Sequence, residues 1–278
     1  MPYPVLNSAP KPSILTAEPL THESFAPFGT LITAPLPDGL NAPPLHLSSL
    51  PSKPTEPVLV NQGHAIKYSP VSPLQNYYGT SKCPSQQQPA SPRMSLFSCF
   101  PRKLRASRDA PGRLLFDVRI LERHPYTSQT FIPLSTSSGR RLSDNRGLGN
   151  EPDNLPARAV PDHDTTYLVI VAPSLTGQTA MATLERKDAC TDLIAILDPP
   201  DLSRLRAFVV EPTQAVTYAA GTWHAPMVVL GKERIDFVVV QFMNGIEEDD
   251  CQFVTFGGIA VDIKSHDINQ ELQELAKL

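Results

Sequence analysis

No stretch of this 278-residue sequence is apolar for long enough to cross a bilayer; the longest such run lies around residues 235–242. Positive charge is not in excess either. Against 28 Asp and Glu stand 24 Lys and Arg, a formal net charge of −4, which leaves no electrostatic footprint for nucleic acid or an anionic membrane. Cysteine is scarce and scattered: Cys83, Cys99, Cys190 and Cys251 have none of the C-x-x-C spacing used by zinc sites and redox pairs. Reduced thiols are therefore expected. The start, "MPYPVLNSAPKPS", lacks the basic residues and apolar run of a secretory leader, so a soluble protein of a reducing compartment is the expectation.

Proline is what the sequence has in quantity, 30 residues, about twice the usual share. It cannot donate to a strand ladder and breaks helix interiors, so this content predicts short strands joined by many turns. The apolar segments agree. "GRLLFDVRIL", "TYLVIVAP", "RAFVVEP", "QAVTYAAG", "PMVVLG" and "IDFVVVQFM" are short, rich in β-branched and aromatic residues, and mostly bounded by Gly or Pro. Helix is expected in three places only. "THESFAPFG" has Thr21 as a cap, followed three residues later by Ser24 in place of the usual Glu. "PPDLSRLRAF" has room for one turn. "SHDINQELQELAKL" puts Ile268, Leu272 and Leu275 on one face behind a cap at Ser265 or Asp267.

One all-β domain spanning 1–278 is the expected organisation, with 1–17 as an N-terminal extension and 265–278 as a C-terminal helix or tail. The stretches 79–93 and 137–164 are polar, rich in Pro and Gly, and without period, and they are expected to be inserted loops. The last three residues, Ala276-Lys277-Leu278, match the small-basic-leucine form of the peroxisomal address that an import receptor reads. Cytosol and peroxisome both remain as expectations.

The stretch "ILERHPYTSQTFIPL" raises a chemical question. Alternate residues of a strand share a face, so Phe116, Val118, Ile120, Glu122 and His124 should point one way and Asp117, Arg119, Leu121 and Arg123 the other. That places a carboxylate and an imidazole beside buried hydrophobes, and the next run puts Gln129 on one face with Phe131. A buried carboxylate without an ion, a donor or a proton is very costly, so Glu122 needs a partner. A satisfied structural cluster, with Arg123 or Arg119 pairing outside, is the plain reading. A functional one comes from "YAAGTWHAPM", where His224 follows Gly221 by three residues at the head of another strand run.

Together the two segments resemble the paired motifs of double-stranded β-helix proteins of the cupin type. There, two histidines one residue apart are followed by a glutamate, and a P-x-G turn precedes a further histidine. In this sequence Glu122 stands for the first His, His124 for the second, Gln129 for the Glu, and Ala219-Ala220-Gly221 for the P-x-G. Such oxygen and nitrogen ligands suit Mn, Fe, Ni or Zn. Two readings stay open: a divalent metal held by Glu122, His124, Gln129 and His224, and a metal-free barrel using the same groups as acid and base.

The order and spacing of these segments resemble the ureidoglycolate lyase family of allantoin degradation. "LERHPYTSQTFIPL" and "YAAGTWHAPM…DFVVV" carry the likeness, with "PDLSRLRAFVV" between them and "ESFAPFGTLI" and "NQGHAIKY" upstream. The likeness covers about residues 18 to 257. Two departures stand out: Ser98 occupies the place where an arginine is expected, and Ala225 stands where a second histidine often sits beside His224. The resemblance implies a cupin-like fold, a homodimer, and cleavage of (S)-ureidoglycolate to glyoxylate and urea. It leaves two alternatives: an amidohydrolase releasing ammonia, or a non-catalytic cupin binding a small anion.

The implied chemistry needs a base for the substrate hydroxyl and an acid for the urea nitrogen, each typically worth about 10²–10⁴ in rate. Glu122 as base and His224 as acid is the favoured assignment, with the reverse open and with His124 and Gln129 orienting substrate or metal. Without a metal a cation must meet the substrate carboxylate, and Lys67, Arg102, Arg123 and Lys232 are the candidates. Tyr218 could turn its hydroxyl inward or serve as a structural tyrosine, and Trp223 could cover the pocket or pack in the core.

Overall fold

Short apolar runs separated by proline-rich turns leave little choice but strands, and strands they are. The structure, a computed structural model, describes residues 3–263 apart from positions 9, 38, 53, 54, 81, 86, 87, 135–164 and 187–189. The expected loop 137–164, the helical tail and the terminal tripeptide lie outside the described residues. The all-β expectation holds, and the described helices are single turns. At His22–Phe25, Thr21 Oγ1 accepts from the Ser24 N–H (3.1 Å) and Ser24 Oγ accepts from the Thr21 N–H (3.1 Å), so serine completes the reciprocal cap usually closed by Glu. "PPDLSRLRAF" holds one 3₁₀ turn, Leu202–Arg204, capped by Asp201. A further turn, Glu247–Asp250, was not expected.

Two large sheets form the body. The smaller runs in the order Gly29–Ile32, Ala215–Tyr218, Gln129–Pro133, Ile235–Met243, Ser91–Cys99, antiparallel throughout. At the centre of the larger lie Gln252–Ile263, Leu114–Arg123, Trp223–His224, Thr166–Ala172 and Arg206–Val210. Thr166–Ala172 explains the need for an unbroken apolar run. Its Tyr167, Val169 and Val171 pack toward the smaller sheet against Phe131, Val216, Phe237 and Val239. Its Leu168, Ile170 and Ala172 enter a second core with Leu121, Trp223 and Val254. A strand covered on both faces reads as continuously hydrophobic, and each large side chain fully buried in this way contributes about 1.5–3 kcal/mol. The residues read as an N-terminal extension also join the larger sheet. Val5–Leu6 pairs with Thr179–Glu185 and Gln252–Ile263, and Ser13–Thr16 pairs with Gln252–Ile263.

The expected alternation along Leu114–Arg123 does not run the whole length. Phe116 and Val118 share a core with Leu121, although a regular strand would put Leu121 on the opposite face. The break coincides with a bulge in the partner strand. Thr255 pairs with Ile120 and Ile259 with Val118, so Phe256, Gly257 and Gly258 stand opposite Arg119 alone. Gly258 takes φ 87°, a left-handed conformation suited to glycine. Past the bulge, Glu122 is paired with His224, and His224 with Val171, so Glu122 faces the space between the two large sheets.

Gly29 allows close strand approach on the other side of that space. It pairs with Tyr218, and a Cβ at Gly29 would lie 1.8 Å from the Thr217 carbonyl oxygen. Main-chain atoms cannot step aside as a flexible side chain would. Gly29→Ala is expected to lower stability by about 1–3 kcal/mol, seen as a lower urea midpoint with an unchanged slope.

Candidate active site

Three strand ends and one turn bring the polar residues together. Glu122 and His224 are direct register partners in the larger sheet. His124 follows the last residue of Leu114–Arg123, and Gln129 opens Gln129–Pro133 opposite Tyr218 in the smaller sheet. Gln75 fastens the two turns that carry them. Its N–H donates to Ser128 Oγ (2.9 Å), its carbonyl accepts from the Ser128 N–H (3.2 Å), and its Oε1 accepts from the Ala220 N–H (2.7 Å). The Gly221 N–H donates to the His124 carbonyl (2.9 Å), closing the link between the motifs.

Hydrogen bonding fixes the rings. His224 Nδ1 lies 3.0 Å from the Thr222 carbonyl oxygen, which can only accept, so Nδ1 carries a proton. Its Nε2 faces two further oxygens, Gln129 Oε1 at 3.1 Å and Glu122 Oε1 at 3.4 Å. That surrounding suits a second proton on Nε2, an imidazolium beside a carboxylate. The Tyr218 ring stacks on the imidazole, centroids 4.0 Å apart and planes 13° from parallel. Burial pushes the Tyr218 hydroxyl well above its ordinary pKa, so it stays neutral, and it has no hydrogen-bond partner in the structure.

His124 differs. Its Nδ1 donates to the Asp250 carbonyl (2.6 Å), leaving Nε2 as a buried acceptor with no partner. Burial, and then the neighbouring charge of His224, hold its pKa below the ordinary histidine value. His124 is thus a neutral imidazole with a lone pair facing the site. For Glu122 burial alone would raise the carboxyl, but the hydrogen bond and charge of His224, joined by His124, outweigh it and hold the group below the usual carboxylate range. Glu122 is ionised.

Glu122, His124 and His224 offer ligand atoms that all lie within 4.8 Å of one another. The partnerless His124 Nε2, the Gln129 oxygen and the mixed oxygen and nitrogen set fit a divalent ion such as Mn, Fe, Ni or Zn.

A supporting layer escaped the sequence reading. The Asp250 carboxylate accepts from the Tyr78 hydroxyl (2.7 Å) and from the N–H groups of Asn244 and Gly245 (2.9 Å each). Asp249 accepts from Asn244 Nδ2 (2.8 Å) and lies 3.4 Å from the buried Cys83 thiol. "EEDD" looks like a solvated acidic run, yet its last two residues are buried and hold the carbonyl that fixes His124. Cys83, within the expected loop 79–93, lies against this layer. The preceding "NG" turn was the one local signal. Gln241 was also missed; its Oε1 accepts from Gln129 Nε2 (2.6 Å) and so turns the other end of that amide toward His224.

The four cations named from sequence do not join the cluster. Arg123 is buried on the far face, bonded to Gln252 Oε1 and the carbonyls of Leu197 and Asp198, with its guanidinium over the Trp223 ring at 4.9 Å. Trp223 is accordingly core. Arg102 lies over Phe116 and lines a 490 Å³ hollow whose walls include none of Glu122, His124, Gln129 or His224. Lys67 pairs with Val58 in a two-stranded sheet that shares no ladder with either large one. Lys232 lies before Ile235–Met243, whose first residue is already roughly 20 Å along an extended strand from the site end at Gln241.

Known proteins match this chain along most of its length. A family model described as ureidoglycolate lyase matches residues 12–263, which include all four residues of the cluster. The chain is 32% identical over 230 residues to the ureidoglycolate lyase of Saccharomyces cerevisiae, covering 81% of this chain and 84% of that protein. It is 30% identical over 237 residues to that of Schizosaccharomyces pombe, covering 85% and 88%. A bacterial relative of the same name, from Burkholderia mallei, is 27% identical over 226 residues, 81% of each. A match of this length, with motifs and geometry in agreement, places the chain in the ureidoglycolate lyase family.

Proposed function

We propose that this protein cleaves (S)-ureidoglycolate to glyoxylate and urea by acid–base elimination. The observation that carries the reading is the facing pair of an ionised Glu122 carboxylate and His224 Nε2, 3.4 Å apart in a member of this family. In the substrate one carbon bears a hydroxyl, a carboxylate and a urea nitrogen. Glu122 takes the hydroxyl proton, the carbonyl of glyoxylate forms, and the carbon–nitrogen bond breaks with its electron pair going to nitrogen. His224 gives its Nε2 proton to that nitrogen, whose anion is otherwise a very poor leaving group. The enzyme is then left with a protonated Glu122 and a neutral His224. Transfer of the proton back between the two groups, 3.4 Å apart, restores both.

The surrounding groups support these roles. Thr222 and Tyr218 hold the His224 ring in place, so that Nε2 is the nitrogen exchanging its proton. The free lone pair of His124 accepts a hydrogen bond from the substrate, and Gln129, anchored by Gln241, keeps its oxygen toward the acid. Were a divalent ion bound instead, His224 would give up its Nε2 proton to join Glu122, His124 and Gln129 in holding it, and the ion would supply charge stabilisation to the substrate oxygens.

The homodimer belongs to the same reading. On the outer face of the smaller sheet Met94, Leu96, Ile132 and Leu134 are exposed, an apolar surface of the kind that partners cover. Light scattering is expected to give twice the 30.4 kDa chain mass, and Leu96→Asp to shift the protein toward the single-chain value.

Incubation with (S)-ureidoglycolate should release glyoxylate and urea in equal amounts without ammonia; ammonia in place of urea would move the assignment to an amidohydrolase. Glu122→Gln and His224→Asn should each lower kcat by about 10²–10⁴ while the far-ultraviolet circular dichroism stays that of the parent. Loss of less than tenfold in both variants would remove them from the proton-transfer steps.

A further inference from the structure

The substrate carboxylate calls for a cation, and the smaller sheet supplies one that the motifs did not point to. Gly29 pairs with Tyr218, Tyr218 with Gln129, and Gln241 with Arg93, while the amides of Gln129 and Gln241 are hydrogen-bonded (2.6 Å). One row of residues therefore crosses the sheet from Gly29 to Arg93. Register partners share a face, and the face is that of the site, since Tyr218 stacks on His224 and Gln129 Oε1 contacts its Nε2. The same parity is kept along Ser91–Cys99. Phe97 meets Phe131 edge-on with centroids 5.8 Å apart, and Cys99 packs against the core between the sheets.

Arg93 is thus on the inward face of the edge strand of that sheet. It is exposed, and its side chain has no hydrogen bond or ion pair among the described residues. Neighbouring strands are about 4.8 Å apart, so its Cα stands roughly 10 Å from that of Gln129, a gap that an extended arginine and a small substrate fill between them. No carboxylate competes for it along the row. A planar guanidinium with paired N–H groups matches a carboxylate in a way that a lysine does not.

We propose that Arg93 binds the carboxylate of the substrate and makes the site selective for anions over their neutral analogues. The identity of the substrate rests on the lyase reading above. The geometry sets the direction of the bound molecule: carboxylate toward the edge strand, with the hydroxyl and urea nitrogen toward Glu122 and His224. Arg93 is a binding residue that contributes to the ground state and the transition state alike, so its loss should appear mainly in KM.

Arg93→Gln and Arg93→Lys test this, with steady-state kinetics on ureidoglycolate and calorimetric binding of glycolate and of its neutral analogue glycolamide. Arg93→Gln is expected to raise KM by about 10–100-fold with kcat within about threefold, and Arg93→Lys to recover part of the loss. The parent protein should prefer glycolate to glycolamide by at least about tenfold, and Arg93→Gln should abolish that preference. An unchanged KM together with a retained preference, or no preference in the parent protein, would overturn the proposal. Absence of turnover by the parent protein would instead remove the lyase reading, and the two binding titrations would still decide the role of Arg93.

Discussion

The contact between Glu122 and His224 is the constraint around which the rest is arranged. A carboxylate and an imidazole are register partners on adjacent strands, so main-chain pairing rather than flexible side-chain reach sets their separation. Their mutual effect follows from the placement. Burial would favour a neutral Glu122, and the hydrogen bond and charge of His224, joined by His124, reverse the balance. The outcome is an ionised carboxylate held against an imidazole, the pair to which the proposed function gives the roles of base and acid. Substitution of either leaves the other buried and unpaired, which is why this pair belongs to structure as much as to chemistry.

Around the pair, each polar group is oriented by something that reacts with nothing. Thr222 and Tyr218 set the His224 ring, the Asp250 carbonyl sets His124, and Gln241 sets Gln129. Asp250 is in turn held by Tyr78 and two backbone N–H groups, and Gln75 joins the turns at 128 and 220. Such a layer limits each ring to one tautomer and one plane. His124, with Nδ1 occupied and Nε2 bare, is left able only to accept, whether from a substrate donor or as a ligand to an ion. The acid–base and metal-holding capacities of the site therefore rest on the same hydrogen bonds.

The smaller sheet has two unlike faces. Inward it carries the row from Tyr218 through Gln129 and Gln241 to Arg93, and outward it exposes Met94, Leu96 and Ile132. Strand alternation gives the nine-residue edge strand Ser91–Cys99 two separate faces, the inner one proposed for substrate and the outer one proposed for a second subunit. The two roles assigned to this strand share a backbone while keeping their side chains apart.

Much of this was legible before any coordinates. Proline content and short β-branched runs determine an all-β fold, because both act locally, residue by residue. Glu122, His124, Gln129 and His224 were legible as well, since a buried charge in a strand demands a partner and the second motif offers one. Three features were decided only by tertiary structure. The change of facing along Leu114–Arg123 falls at a bulge between Thr255 and Ile259, which lies in a different strand, well over a hundred residues downstream. "EEDD" reads as a solvated run until folding buries Asp249 and Asp250 under Tyr78 and Cys83. The facing of the arginines was beyond local pattern too: Arg123 sits beside Glu122 in sequence and turns away, while Arg93, 29 positions before Glu122, comes to the inward face through strand register. Sequence states what each residue needs, whereas which distant group meets that need depends on how strands pair across the sheet.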